Sequence, residues 1–290
     1  SFEATPIVVN GTMYVSTGYN DVYALDAVTG EEKWAYHPMN EMPPFDKLSL
    51  CCGQNNRGVV YGDGKVYIGR LDAVLVALDA NTGNVAWQAI VDDWQDSYSI
   101  TMAPQFVNGM VLIGVAGGEY KTRGHLDAYD ASTGTLVWRF YTTLPGDTWE
   151  GDSWMTGGGP VWGTPPVDTN LGLVYVTTGN ASPDLNGSQR AGQNLYTASL
   201  VALDVQTGQV KWFFQEVHHD IWDYDGPQPP VLYNVVKDGQ TILAIGHANK
   251  NSEYFILDRR DGTPIYPVTE QPVDTDPTWH NPWPTQPRSS

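Results

Sequence analysis

The sequence predicts an all-β fold, namely a β-propeller built from four-stranded antiparallel blades, of which about four to five are present. Three observations carry this prediction. A short pattern ending in tryptophan recurs along the chain, and glycine (30) and proline (20) are abundant among its 290 residues. Only 17% of the residues are charged, whereas 41% are hydrophobic, which excludes a disordered chain.

The recurring pattern reads Ala-x-Asp-x-x-Thr-Gly and reaches a tryptophan four residues after the glycine. Its full copies end at Trp34, Trp87, Trp138 and Trp212, and a weaker fifth copy runs from Ile256 through Gly262 to Tyr266. In each copy a strand runs into the aspartate, and the Thr-Gly pair makes a turn in which glycine supplies a positive φ. We expect each recurrent tryptophan to dock on the neighbouring blade.

A second strand pair precedes each copy, in segments such as "VVNGTMYVST" and "QFVNGMVLIGV". One repeat unit therefore contains four short strands, and units of about 50 residues stacked side by side indicate a propeller. An insertion over about 145–162 lengthens one repeat. We expect residues 1–266 to form a partial propeller and 267–290 to be a proline-rich, irregular and truncated excursion, with the missing blades in a longer chain.

The net charge of −18 and the isoelectric point near 4.4 exclude several classes of partner. Such a surface repels phosphate backbones and anionic lipids, so no nucleic acid or membrane-surface partner is expected. No apolar run reaches the roughly 20 residues that span a bilayer. The first residues lack a basic start and an apolar core, so a targeting segment is expected to have been removed. A homodimer is one assembly that the sequence leaves open.

The two cysteines are adjacent, in "CCGQNNRG". By themselves they leave two interpretations open, a pair of buried thiols or a vicinal disulfide. Further unusual segments are "GVAGGEYKTRG", "GGGPVWG", "TTGNASP", "HHDIWDYDG" and "GHANKNSEYF". His218 and His219 point to opposite faces of an extended segment, which argues against a zinc pair. Asp220, Asp223 and Asp225 have little basic compensation, and a cation is expected to gather them.

Together, these segments and the repeat resemble the quinoprotein alcohol and sugar dehydrogenases, eight-bladed propellers that bind pyrroloquinoline quinone (PQQ). The resemblance extends from residue 1 to about 266, with the motifs in the family's order. It implies a vicinal disulfide, an oxidising compartment such as the periplasm, and one calcium or lanthanide ion. The cofactor-binding residues that it implies are Glu3, Cys51, Cys52, Arg57, Thr101, Ala116, Gly117, Gly118, Trp162 and Lys250.

For the metal ion, the resemblance implies Glu119, Asn180, Asp223 and Asp225 as ligands, with Asp223 also acting as the catalytic base. Asp225 corresponds to an additional aspartate that accompanies lanthanide ions in alcohol-oxidising members, and three carboxylates suit a trivalent ion. Sugar-oxidising members carry it too, and a salt bridge from Asp225 to a neighbouring base is the alternative.

The implied activity is oxidation of an alcohol or a sugar by hydride transfer to PQQ, with a cytochrome c or a membrane quinone as electron acceptor. Two alternatives remain at this point. The chain could be a non-catalytic propeller scaffold, because the tryptophan repeat also occurs in such proteins, or a truncated quinoprotein without activity. The loop residues favour the enzyme, since a scaffold requires the repeat alone.

Overall fold

The strands pair in sequence order into four four-stranded sheets in the computed structural model, which describes residues 2–274 and 282–290. The first sheet contains β1 (Ile7–Val9), β2 (Thr12–Ser16), β3 (Val22–Asp26) and β4 (Glu32–Tyr36). The second contains β5 (Val60–Gly62), β6 (Lys65–Gly69), β7 (Val74–Asp79) and β8 (Val85–Ile90). The third contains β9 (Gln105–Val107), β10 (Met110–Gly114), β11 (His125–Asp130) and β12 (Leu136–Tyr141). The fourth contains β13 (Val167–Asp168), β14 (Leu173–Thr177), β15 (Ser199–Asp204) and β16 (Val210–Gln215).

A three-stranded sheet follows, and it contains β17 (Val231–Lys237), β18 (Gln240–Ala248) and β19 (Tyr254–Asp258). Helical structure in the described ranges is restricted to short 3-10 turns at Pro38–Asn40, Phe45–Lys47, Trp94–Asp96, Gly118–Tyr120 and Ser153–Thr156. None of these helices has the length and apolar character of a membrane-spanning segment. The four blades and the partial fifth confirm the predicted all-β propeller class.

The turn of each repeat is held by its aspartate. The side-chain oxygen of Asp26 accepts a hydrogen bond from the Thr29 backbone N–H at 3.0 Å. The same bond forms from Thr82 to Asp79, from Thr133 to Asp130 and from Thr207 to Asp204. The following glycine has a positive φ of 68–75° in all four copies. The pattern has an aspartate because its side chain accepts hydrogen bonds from the backbone N–H groups of the turn. It has a glycine because glycine tolerates this positive φ.

Trp34, Trp87 and Trp212 dock on the turn of the next blade, as the sequence predicts. The Trp34 indole N–H donates to the Ala80 carbonyl at 3.0 Å, and Trp87 and Trp212 bond Ala131 and Arg259 in the same way. Each of these three carbonyls accepts a second hydrogen bond, from the hydroxyls of Tyr14, Tyr67 and Tyr175 respectively. The tyrosine lies next to its tryptophan with ring centroids 5.8 Å apart. An indole and a phenol therefore fix each of these blade junctions.

The chain divides into two compact units, and each unit has its own apolar core. Unit 1 comprises Ser1–Gly117 and Leu126–Arg139, and unit 2 comprises Gly118–His125 and Phe140–Ser290. In unit 1, one buried cluster fills the space between the first and second sheets and another joins the second sheet to the third. In unit 2, a cluster that includes Trp212, Ile245 and Phe255 joins the fourth sheet to the three-stranded one.

The segment 267–290 is not wholly irregular, and the expectation for it was wrong in this respect. Strands β20 (Val268–Pro272) and β21 (Thr285–Ser289) pair antiparallel into a two-stranded sheet. Prolines made these strands hard to predict from the sequence, and they lie in a sheet of two strands. A proline lacks a backbone donor, and such a residue is tolerated where one side of a strand has no partner.

Replacing the turn glycine of the second blade should destabilise the protein through both backbone strain and a clash. Gly83 has φ +73°, and a Cβ there would lie 2.6 Å from the Trp34 ring. Gly11 has the same φ with nothing within 4 Å of the equivalent position. We expect Gly11→Ala to lower the free energy of unfolding by about 1 kcal/mol. Gly83→Ala should cost about 1–3 kcal/mol more, because the ring must move. Urea denaturation of both variants tests this, and equal losses would contradict the docking role of Gly83.

Candidate active site

Three residues that the resemblance implies come together in unit 2, where a loop meets the end of a strand. Asp223 and Asp225 lie on the loop after β16, and Lys250 follows β18. The Lys250 ammonium contacts the Asp225 carboxylate at 2.6 Å and that of Asp223 at 3.2 Å, and it donates to the Asp223 carbonyl at 3.0 Å. Asp225 is largely buried, whereas Asp223 and Lys250 are partly exposed. The contact between Asp225 and a neighbouring base, named above as the alternative, is therefore present.

The backbone of this loop is held by Asp220. Its buried carboxylate accepts hydrogen bonds from the backbone N–H groups of Trp222 and Tyr224, at 3.0 and 2.9 Å. Burial raises the pKa of Asp220 to about 6, against the lowering effect of these donors. Asp223 lies between the two donors with φ +62°. One backbone amide therefore bonds each oxygen of the Asp220 carboxylate, and the expectation that a cation gathers all three acids stays a prediction.

Asn180 lies beside the two aspartates and is completely buried. Its backbone N–H donates to the Asp225 carboxylate at 3.1 Å, and its side-chain Nδ2 donates to the carboxylate of Asp184 at 2.8 Å. Its Oδ1 atom is buried and has no hydrogen-bond partner within the described ranges. Gly179 is required here, since a Cβ on it would lie 2.8 Å from an Asp225 oxygen.

Glu119 belongs to the electrostatic environment of these acids without touching them. It lies in the 3-10 turn Gly118–Tyr120. Desolvation raises the pKa of Glu119, and the negative charges of Asp184, Asp225 and Asp223 raise it further. Within residues 2–274 and 282–290, no group of three or more His, Cys, Asp or Glu side chains is arranged so as to hold a metal ion. The structure thus places Glu119 near the other acids but does not assemble the four implied ligands around one point.

The electrostatics of the cluster are set by an excess of carboxylates. Desolvation and the neighbouring Asp225 raise the pKa of Asp223, and Lys250 offsets only part of this effect. Burial lowers the pKa of Lys250, but its bonds to Asp225 and Asp223 outweigh burial and raise it overall. The lysine is therefore charged at neutral pH, and Asp223 is a stronger base than an exposed aspartate.

Several of the other implied residues lie in unit 1. The Arg57 guanidinium pairs with the Glu3 carboxylate at 3.2 Å. The backbone N–H of Arg57 donates to the Thr101 carbonyl at 3.0 Å, which joins three implied positions in one array. Burial lowers the pKa of Arg57, and the charge of Glu3 opposes that shift.

Cys51 and Cys52 are joined to each other by a disulfide and are exposed. Of the two interpretations that the sequence leaves open, the structure has the vicinal disulfide.

Two of the small residues that the resemblance implies also lie in unit 1. Ala116 pairs through its backbone with Ser99, and Gly117 has φ +114°.

Two further implied residues lie in unit 2. The structure gives a steric reason for the glycine at 118. A Cβ there would lie 2.8 Å from Pro160 and 3.3 Å from the Asn180 amide oxygen. Trp162 is half-buried in the loop that leads to β13.

Sequence reasoning missed a buried ion pair behind the loop of Asp223. Both oxygens of Glu216 face the His247 Nδ1 atom, at 2.7 and 2.9 Å, and the His247 Nε2 atom faces the Gln228 carbonyl at 3.0 Å. Both ring nitrogens face acceptors, so both donate and the imidazole is charged. Asn249 donates to Glu216 at 2.7 Å, which ties the residue before Lys250 to the same carboxylate. The one sequence signal was a histidine inside the apolar strand β18.

Asp184 was also missed. It follows "GNASP" in a loop that looks like ordinary polar surface, and the local conformation of this loop brings its carboxylate to the Asn180 amide. Burial raises the pKa of Asp184, as do the charges of Asp223 and Asp225. The loop is held by Arg190, a fully buried guanidinium that donates to the Pro183 carbonyl at 2.8 Å and to the Asp220 carbonyl at 2.5 Å.

Comparison with known proteins gives consistent matches along the whole chain. The family of PQQ glucose/ethanol/alcohol dehydrogenase β-propeller domains matches residues 1–290. The quinohemoprotein alcohol dehydrogenase of Comamonas testosteroni is 41% identical over 293 residues, covering 94% of this chain and 41% of that protein. Its crystal structure superposes with a TM-score of 0.85 over 100% of this chain and 46% of that one. A europium-containing methanol dehydrogenase superposes at 0.87 with 33% identity, over 100% and 54%. The chain thus spans about half or less of these relatives.

The Glu216–His247 pair should make stability depend on pH. Burial lowers the pKa of His247, but the Glu216 charge and the hydrogen bonds raise it overall above its ordinary value. The pair's contribution is then complete below about pH 6.5 and is lost as the pH rises through the raised value. We expect the difference in free energy of unfolding between wild type and a Glu216→Gln/His247→Gln double variant to shrink from about pH 6 to about pH 9. Urea denaturation across this range measures it, and a constant or growing difference would show that the pKa of His247 is not raised by the fold.

Proposed function

The chain belongs to the PQQ glucose/ethanol/alcohol dehydrogenase β-propeller family, and on that premise we propose that it forms part of the active site of a quinoprotein that oxidises an alcohol. A sugar is the second substrate class. The observation that carries the proposal is the buried Asn180 amide oxygen, to which no residue in the described ranges donates, beside two carboxylates that are contacted by a single amine.

This arrangement fits a hard cation. An unsatisfied buried carbonyl costs about 1–3 kcal/mol, and a cation that accepts its lone pairs removes that cost. Amide and carboxylate oxygens are the ligands that calcium and lanthanide ions prefer. We propose Glu119, Asn180, Asp223 and Asp225 as the ligand set, with the Lys250 ammonium as a positive charge that contacts Asp223 and Asp225.

The implied residues of unit 1 have the charge and polarity to bind the anionic cofactor. PQQ carries carboxylates, and the guanidinium of Arg57 can bind one in a bidentate manner. Thr101 and Glu3 add polar contacts, and the exposed Cys51–Cys52 disulfide offers a small apolar surface for a planar ring. Following the resemblance, we assign Ala116 and Gly117 of unit 1 to the close approach of that ring. Gly118 and Trp162, which belong to unit 2, are proposed as cofactor-binding residues on the same basis. When bound, PQQ supplies the two-electron acceptor and the metal ion polarises its carbonyl.

The chain's own contribution to the chemistry is the removal of a proton and its charge compensation. Asp223 is partly exposed, and its pKa is raised, so its carboxylate can accept the hydroxyl proton of an incoming alcohol. Lys250 holds that carboxylate at 3.2 Å and places a positive charge beside it. Asp220 holds the backbone on both sides of the base.

For the electron acceptor we propose a cytochrome c or a membrane quinone, and for the compartment the periplasm. The vicinal disulfide supports an oxidising compartment, because thiols in the cytosol are kept reduced. Whether the protein forms a homodimer can be measured by light scattering.

The base is tested by Asp223→Asn in the PQQ-loaded protein. An amide cannot take up the proton, so kcat should fall at least about 100-fold while PQQ binding persists. Asp238→Asn is a matched control, because Asp238 also has a positive φ (51° against 62°) but lies in the exposed turn between β17 and β18. A decrease of less than about tenfold in Asp223→Asn would remove Asp223 from the role of base.

The metal is tested by reconstituting metal-free protein with La³⁺ and with Ca²⁺. Four carboxylates (Glu119, Asp184, Asp223 and Asp225) interact with one another here, and such charge favours a trivalent ion over a divalent one. We expect La³⁺ to activate wild type better than Ca²⁺, and Asp225→Ala to lose the La³⁺ response. Equal activation by Ca²⁺ alone, unaffected by the substitution, would leave Asp225 as a salt-bridge partner of Lys250 only.

A further inference from the structure

The amide group of Asn180 has a fixed orientation, and Asp184 is the residue that fixes it. The Asn180 Nδ2 atom lies 2.8 Å from the Asp184 carboxylate and 3.1 Å from the Ala181 carbonyl, and both of these partners are acceptors. Rotating the amide by 180° would turn its oxygen toward two acceptors and lose both hydrogen bonds. These two contacts thus determine which end of the amide is the nitrogen and which is the oxygen.

With the nitrogen held in this way, the oxygen faces away from its neighbours' donors. Asn180 is 0% exposed, and no described residue donates to its Oδ1 atom. The Gly118 backbone is close to it, since a Cβ there would approach to 3.3 Å. A buried amide oxygen without a donor points to a ligand that accepts its lone pairs, and the surrounding charge is negative, which favours a cation.

The backbone next to Asp184 is anchored by Arg190. The Arg190 guanidinium is completely buried and donates to the Pro183 carbonyl through Nε and through one terminal nitrogen, at 3.2 and 2.8 Å. Its other terminal nitrogen donates to Asn194 at 2.7 Å. A buried arginine therefore ties the backbone next to Asp184 to Asn194 and to the Asp220 carbonyl.

We propose that Asp184 is a positioning residue that orients the Asn180 amide so that its oxygen coordinates the active-site cation. This inference rests on the proposed function, because it assumes that Asn180 binds the metal ion. Residues that hydrogen-bond a metal ligand in this way commonly change metal affinity by about 10–100-fold when they are replaced. Asp184 contributes here through its acceptor oxygen rather than through a bond to the metal.

The experiment uses Eu³⁺ as the probe, with its affinity measured by tryptophan-sensitised luminescence and its bound waters counted from decay rates in H₂O and D₂O. Asp184→Leu removes the acceptor, so Eu³⁺ affinity should fall about 10–100-fold and about one additional water should bind the ion. Asp184→Asn keeps an acceptor oxygen and should retain the water count of wild type. Asp152→Leu is the control, because it makes the same replacement at an exposed acid of unit 2.

A double-variant cycle with Asn180→Ala separates positioning from direct coordination. If Asp184 acts through Asn180, then Asp184→Leu, Asn180→Ala and the double variant all gain the same single water and lose similar affinity. Additive losses, with about two waters gained in the double variant, would make Asp184 a ligand and overturn the proposal. Unchanged binding in Asp184→Leu would overturn it as well, whereas a wild type that binds no Eu³⁺ would refute the metal site of the proposed function itself.

Discussion

The described structure depends on one repeated contact, a tryptophan indole that donates to a turn carbonyl of the next blade. At each of the junctions made by Trp34, Trp87 and Trp212, a tyrosine hydroxyl donates to the same carbonyl. The turn must also bring its glycine against the indole ring, at a φ that other residues adopt with strain. The repeat thus uses its aspartate, threonine, glycine and tryptophan for one purpose, the packing of each sheet on the next. The loops that connect the strands are not needed for this packing and can carry functional residues.

These loops carry an excess of negative charge. In unit 2, the charges of Asp223 and Asp225 raise the pKa of Asp184, and all three carboxylates raise the pKa of Glu119. Lys250 contacts two of them directly, Asp223 and Asp225. Such an arrangement is costly for the protein alone and becomes favourable when a cation enters. The same field makes Asp223 a better base than an exposed aspartate. The proposed metal binding and the proposed proton removal would therefore have a common electrostatic origin.

The blades could be predicted from the sequence because each repeat records a local turn and a contact to the next blade. The meeting of Asp223, Asp225 and Lys250 could be predicted only through the family resemblance, since the lysine is separated from the aspartates by two strands. The β20–β21 pairing could not be predicted, because prolines obscure its alternation.

The residues that support the site could not be predicted from the sequence either. The partners Glu216 and His247, and likewise Asp184 and Arg190, are ordinary polar residues in sequence and acquire roles only when burial removes water from them. Asp220 resembles a cation ligand by spacing, and two backbone amides of its own loop bond its carboxylate. The backbone N–H groups of the loop need acceptors, and the Asp220 carboxylate supplies them. This role cannot be read from composition or from spacing.

The central claim is that one cation binds among Asn180, Glu119, Asp223 and Asp225. Anomalous diffraction from crystals of the PQQ-loaded protein, grown with a lanthanide and collected at its absorption edge, tests it most directly. The account predicts a single strong peak at about 2.3–2.6 Å from the Asn180 amide oxygen and from the carboxylates. A peak elsewhere, or no peak with the Lys250 ammonium still between Asp223 and Asp225, would contradict it.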